Sequence, residues 1–483
     1  MVAPARWGGH CFPIILTLIL ISSLLALFSW QDPVAIAQHE HQVQLSEHSS
    51  PSSHVGLADL GNQTPSCAVD ENIVKQYGNI NIRLSRTHEG SRHRLAKVIQ
   101  RAQRGDKLNV AVLGGSVSTG HGFADGKPFQ YGAIKETWQT FVVQALKDMF
   151  GEEAINFSDG ARPAVDSAFF RYCFPALIGT RADLIFVEMA VNDVYSTESL
   201  DHAEELLRAL LQLPNEPAVV FVEAFALRTK SGRDGMLNGA DSHASLAEFY
   251  DVPSVSLRAP VLSTLLQDES LAEPYFKTDV RHISAPLHEF LGKMVVAFLQ
   301  DTRCRLQDFL LPVEASESEF AQRTESALGK VPPIKVSDDW NEQDRSYASV
   351  PPTCHLAGET LEPSLPSPKW SLYVWKDAKR YLETKERNSE IAFQVETRKG
   401  GKGTIVVSYL KSKEYDLGKL VCRVGDQKVT IDGYWSKRVS IAQTAVVATD
   451  LEPGGTYEMR CKTPLKPGPG GRIAFRLMGV MSL

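Results

Sequence analysis

Leu108-Asn109-Val110-Ala111-Val112-Leu113-Gly114-Gly115-Ser116-Val117-Ser118-Thr119-Gly120 is an apolar run that ends abruptly in a turn rich in glycine and serine. The run is too short for an ordinary helix, and its valines and leucines suit a strand buried on both faces. Similar short runs recur along the chain, and strands are expected at 108–113, 154–157, 184–187, 218–223 and 254–257. Segments with helical periodicity fit between them, at 136–150, 164–178, 199–213, 242–250 and 285–299. Strands that alternate with helices in this way predict a parallel sheet covered on both faces, an open, doubly wound α/β domain of three layers. In such sheets ligands bind at the carboxyl ends of the strands.

The chemically unusual residues fall at those ends. Ser116 follows the first run, where glycines allow a sharp turn and the N–H groups beyond it can face a developing oxyanion. Asp159-Gly160-Ala161 follows the second run, and Val191-Asn192-Asp193 follows the third. Asp279-Val280-Arg281-His282 precedes the last helix, and its spacing lets a carboxylate hold the imidazole in one tautomer. Each has a plainer alternative: Ser116 and Ser118 as turn residues, Asn192 as a strand terminator, Asp279 as a helix cap, His282 as a structural histidine. His288 is a second histidine nearby, but it lies within the helical pattern and lacks an Asp at the matching offset. Neither a Walker-type phosphate loop nor a dinucleotide fingerprint is present.

The block order Ser, Gly, Asn, then Asp-x-x-His resembles that of the SGNH (GDSL-like) hydrolases, and the resemblance covers 108–299, under half of the chain. It implies a flavodoxin-like domain and a serine esterase. Ser116 would be the nucleophile and a backbone oxyanion donor, Gly160 a second backbone donor, and Asn192 a side-chain donor. His282 would be the general base and Asp279 its orienting acid. The chain departs from the family pattern in Gly114-Gly115-Ser116 for Gly-Asp-Ser, in Asp159 where Asn is frequent, and in Ala190-Val191 before the Asn block.

With 43% hydrophobic and 22% charged residues in 483, the chain holds more apolar matter than one small core buries, so at least two folded domains are expected. A formal charge of −6 offers no basic field for a polyanion and disfavours nucleic acid as a partner. The apolar run 12–30 follows Arg6 and precedes Asp32, which reads as a signal anchor of type II or as a signal peptide cleaved near Ala35-Ile36-Ala37. Residues 1–37 are assigned to that element and 38–66 to a disordered stem rich in Ser, His, Gln and Pro. The stem histidines His39, His41, His48 and His54 match no metal-ligand spacing. Either fate of the leader puts the rest of the chain in the secretory lumen or outside the cell. Six cysteines beyond the run agree with an oxidising compartment, and Cys422 with Cys461 is a natural pair. Sequons at Asn62 and Asn156 are compatible with glycosylation.

The predicted hydrolase-type domain spans 67–304. A segment rich in Pro, Ser and acidic residues, 305–366, reads as a linker that Cys354 staples to the first domain, through Cys304. From 367 to 483, strand signals at 391–396, 404–409, 419–424, 428–431, 439–447, 457–461 and 472–477 predict an antiparallel β-sandwich. Trp370, Trp375, Tyr434 and Trp435 offer flat faces to sugar rings, although core packing is the commoner use of such residues. The expected reaction is hydrolysis of an acyl ester, with an O-acetylated or otherwise acylated glycan as substrate. Acyl transfer to a sugar hydroxyl by the same site, and glycan binding without turnover, are the alternatives. No metal or organic cofactor is implied, because side chains and backbone donors complete the chemistry.

Overall fold

Apolar side chains on both faces force the strands of the first layer inward. β2 (Leu108–Gly114), β4 (Leu184–Glu188) and β5 (Ala218–Glu223) are buried almost throughout. With β3 (Ile155–Asp159) and β6 (Ser254–Ser256) they make a parallel sheet, and β1 (Arg86–His88) closes one edge antiparallel to β6. The order is β1-β6-β5-β4-β2-β3. The chain direction of growth reverses between β2 and β4, so the switch point of the sheet lies between the strands that precede Ser116 and Asn192. The computed structural model describes residues 67–121, 136–227, 236–276, 280–310, 318–341, 350–375, 379–437 and 439–483. The leader, the stem with its histidines, the Asn62 sequon and Asp279 lie outside the described residues.

Helices cover both faces of the sheet. α1 (Glu71–Ser85), α2 (His93–Gln103), α3 (Trp138–Phe150) and the last helix of the layer, α8 (Ala285–Cys304), contribute to one apolar cluster. α4 (Ser167–Ile178), α5 (Thr197–Leu211) and α6 (Gly239–Phe249) pack on the other face, and α7 (Arg258–Gln267) follows β6. Asn238 caps α6 with a full capping box, its side chain accepting from the Ala240 N–H while Asp241 accepts from the Asn238 N–H at 2.9 Å. α1 and β1 escape the sequence pattern for a local reason: Gly78, at φ 77°, breaks the helical period, and the edge strand is three residues long.

The C-terminal layer is all β. One sheet runs β10 (Glu390–Glu396), β15 (Thr456–Lys462), β12 (Lys419–Val424), β13 (Gln427–Asp432). The facing sheet runs β14 (Ile441–Ala448), β11 (Ile405–Lys411), β16 (Phe475–Ser482), β9 (Lys379–Thr384), β8 (Ser371–Trp375), with β7 (Thr353–Leu356) also paired to β16. The pairings between these named strands are antiparallel. Cys422 and Cys461 stand opposite each other in register and are bonded, inside the sandwich core.

Residues 66–483 form one compact unit. Phe169 and Cys173 of α4 share an apolar cluster with Cys354, Leu356, Val406, Ala442 and Met481 of the sandwich. The pairing expected for Cys354 is corrected here: it bonds Cys173, while Cys304 bonds Cys67. The long α8 carries Cys304 back to the start of the described chain, and α4, which lies under β7, is the helix that can reach Cys354. The segment taken for a linker also lies against the first layer. Arg94 Nε donates to the Gly329 carbonyl at 2.9 Å, Arg208 Nη1 to the Ile334 carbonyl at 2.9 Å, and the Val336 N–H to Glu204 at 2.7 Å. Three disulfides fit an oxidising compartment. Among the described residues, no helix is long and apolar enough to cross a membrane.

Candidate active site

β2 delivers Gly114 and Gly115 into a turn that side chains could not enter. A Cβ at Gly115 would occupy the space of the Asn192 amide, and one at Gly114 would overlap the Ser118 side chain. The glycines therefore let the Ser116 turn and the Asn192 loop approach each other. Ser116 Oγ lies 2.8 Å from His282 Nε2, across 166 residues of sequence. Ser116, Asn192 and His282 are each only 8–9% exposed, enough to meet a small group while excluding most water. The His121 ring stands edge-on to His282 with centroids 4.3 Å apart.

The two serines of the turn have separate work. Ser118 is buried, donates through Oγ to Glu188 at 2.9 Å, and accepts from the Trp138 indole at 3.0 Å. Its carbonyl accepts from Gln139 Nε2 at 2.6 Å. Burial raises the Glu188 carboxyl to about 8, against the hydrogen bonds from Ser118 that favour its ionised form. Ser118 thus fixes the turn from behind and leaves Ser116 facing the pocket.

The Asn192 loop is fixed by a buried chain of charges. Asp193 accepts from the Ser167 N–H and hydroxyl at 2.9 and 3.0 Å, and its other oxygen meets His243 Nε2 at 2.9 Å. His243 Nδ1 meets Glu223 at 3.0 Å, and Phe221 stacks on the ring at 5.1 Å. Burial alone would lower the imidazole, but the flanking carboxylates outweigh it and raise His243 to about 10. Neither His243, Glu223 nor Glu188 was among the expected site residues. A signal was available: 184–188 and 218–223 are apolar strands that both end in Glu, at the edge where ligands bind.

The remaining expected residues fall differently. Gly160 sits at the end of β3, but its N–H donates to the Val112 carbonyl at 2.9 Å, so in this structure it is engaged by the sheet rather than turned to the pocket. His288 is fully buried and accepts from the Trp138 N–H at 3.3 Å. Burial, reinforced by His282, lowers it to about 3, which keeps it neutral and structural. Asp279, the expected partner of His282, is outside the described residues.

The pocket above Ser116 is walled by both layers: His121, Ala164, Asn192 and Arg281 from the first, Trp375, Lys379 and Ile441 from the sandwich. The Ala442 N–H donates to the Ala164 carbonyl at 2.9 Å and pins the two walls together. Trp370, by contrast, is buried in the sandwich core. Trp435 donates to the Val439 carbonyl at 2.7 Å, and the Arg472 guanidinium covers the Tyr434 ring at 3.4 Å, so both are engaged within the sandwich. Among solved structures, a two-domain esterase (CEX) active on acetylated mannans matches at TM-score 0.58 and 16% identity, over 83% of this chain and 98% of that one. The chain shares the fold of that two-domain esterase. The esterase co-crystallised with mannopentaose matches at TM-score 0.56 and 16% identity, over 83% and 97%. Axe2, an acetylxylan esterase from Geobacillus stearothermophilus, matches over 40% of this chain and 95% of its own at 17% identity and TM-score 0.31. No family model and no curated protein sequence matches this chain.

Proposed function

We propose that the protein hydrolyses acyl esters on a glycan, with Ser116 as nucleophile. The observation that carries this reading is the 2.8 Å contact between Ser116 Oγ and His282 Nε2 at the carboxyl edge of the sheet, with Asn192 alongside. Ser116 Oγ attacks the ester carbonyl carbon while His282 Nε2 takes its proton. The oxyanion that forms is met by the Asn192 amide and the Ser116 N–H, and Gly160 adds a third donor if its N–H leaves Val112. Collapse of the tetrahedral intermediate breaks the bond to the sugar oxygen, which receives the proton from His282. Water, activated by the same imidazole, then releases the acid and restores Ser116. Asp279 would hold the imidazole upright through Nδ1. No step calls on a metal or cofactor.

A glycan substrate is supported by the fold it shares with an esterase active on acetylated mannans and by the sandwich wall with its Trp375 face. The test is labelling with a fluorophosphonate probe, together with acetate release from acetylated saccharides in the absence of any acceptor. Labelling at Ser116 and acetate release support the reading. Acetyl transfer that occurs only when an acceptor glycan is added would make the protein a transferase, and sugar binding with no labelling would make it a lectin-like protein.

A further inference from the structure

Lys379 opens β9 directly opposite Trp375, the last residue of β8, and the two side chains stay together, with the ammonium 5.2 Å from the indole centroid. Both line the pocket that holds Ser116 and His282. Arg281 lines it from the first layer. Among the described residues that line this pocket, Lys379 and Arg281 carry formal positive charge and none carries a carboxylate. The chain as a whole is acidic, at −6, so this concentration of cations is local.

A positive group placed in a partly dry cleft is costly unless something answers its charge. For Lys379 the described residues supply an aromatic face, which gives a cation less than a carboxylate would. Burial lowers its ammonium to about 8. An anion arriving with the substrate would supply the missing charge, and the cleft would strengthen that contact. Trp375 stands beside the ammonium as a flat apolar surface, suited to the C–H face of a pyranose ring.

We infer that the glycan bearing the scissile ester is anionic, and that Lys379 on the sandwich wall selects it by binding a carboxylate or sulfate on the sugar seated against Trp375. The inference rests on the proposed ester hydrolysis. It makes the sandwich a determinant of specificity at the reaction site.

The experiment compares kcat/KM on three polymers: O-acetylated homogalacturonan for the carboxylate, an O-acetylated sulfated galactan for the sulfate, and O-acetylated mannan as the neutral case. The wild type should favour one anionic polymer over mannan by about tenfold or more at low salt, with the ratio shrinking as salt rises. Lys379→Gln should reduce that ratio by about tenfold, Lys379→Arg should keep it, and Lys379→Glu should invert it. The polymer that responds identifies the anion. Equal turnover of all three polymers, or a ratio untouched by Lys379→Gln and Lys379→Glu, overturns the inference while leaving ester hydrolysis intact. Absence of turnover on every polymer, together with no fluorophosphonate labelling at Ser116, overturns both.

Discussion

Ser116 sits at the end of a strand buried on both faces, with Ser118, Trp138 and Glu188 bonded behind it, whereas Trp375 and Lys379 meet the same pocket from a hairpin whose Ser371, Leu372 and Val374 are exposed. The first wall is densely bonded: Ser118 Oγ joins the Trp138 indole to the Glu188 carboxyl in one buried network, and a small displacement would strand one of them. Among the described residues the second wall is tied to the first by the Cys173–Cys354 disulfide, the Ala442–Ala164 hydrogen bond, the Arg162–Glu359 ion pair and an apolar contact. On the proposed reading, chemistry falls to the more densely bonded wall, and selection to the wall that can be altered with less cost to the fold.

The largest effect should come from the first wall. Ser116→Ala removes the nucleophile but leaves Ser118 and its network in place, so kcat should fall by roughly three orders of magnitude or more, with an unchanged melting temperature. Activity retained in Ser116→Ala, or a probe adduct on Ser118, would overturn the assignment. Asn192→Ala should follow, with kcat lower by about a hundredfold and KM much less affected, because its amide is needed only as the oxyanion forms. A lowered melting temperature with normal kcat would instead make Asn192 a spacer over Gly115.

How far each wall was legible in the sequence follows from the same contrast. Strands such as 184–188 and 218–223 announce themselves because burial on both faces leaves unbroken apolar runs, and the glycines before Ser116 mark the turn. Ser116 and His282 are far apart in the chain but each stands at a predictable strand or helix end. β8 and β9 are not legible. Lys379-Arg380-Tyr381-Leu382-Glu383-Thr384 alternates weakly, and its burial depends on Arg476 of β16, whose Nε donates to Glu383 at 2.8 Å. Nothing local says that this hairpin will face Ser116. Glu188, Glu223 and His243 were readable only in part, since a carboxylate ending an apolar strand is visible, but its partner in a distant turn or helix is not.

Removal of the Cys173–Cys354 bond tests whether the second wall is the weaker one. Cys173→Ala with Cys354→Ala should lower stability by about 2–4 kcal/mol. The activity loss should fall on polymeric glycan esters rather than on a small soluble acetyl ester, because Ser116 and His282 belong wholly to the other layer. Paired measurements of thermal melts and of kcat/KM on both substrate types check this. Equal loss on both substrates would show that the sandwich also holds the catalytic residues in place.

The smallest effect on activity concerns the group beneath the Ser116 turn, whose role is read instead in stability against pH. Glu188 is fully buried, and its carboxyl is raised from 4.5 to about 8. Between those values the folded protein keeps a proton that the unfolded chain has released, so stability is present below about 4.5 and is lost as pH rises toward 8. His243, raised to about 10, acts in the same direction from neutral pH upward. Its contribution is common to the wild type and to Glu188→Gln, so it cancels when the two are compared. The difference in stability should therefore shift in favour of Glu188→Gln with increasing pH, by at most about 1.4 kcal/mol per unit, and level off above pH 8. Melts of both proteins from pH 5 to pH 9 measure it. Parallel curves would mean that Glu188 is ionised in the folded state, with Ser118 and the turn bound to a buried carboxylate rather than to a neutral acid.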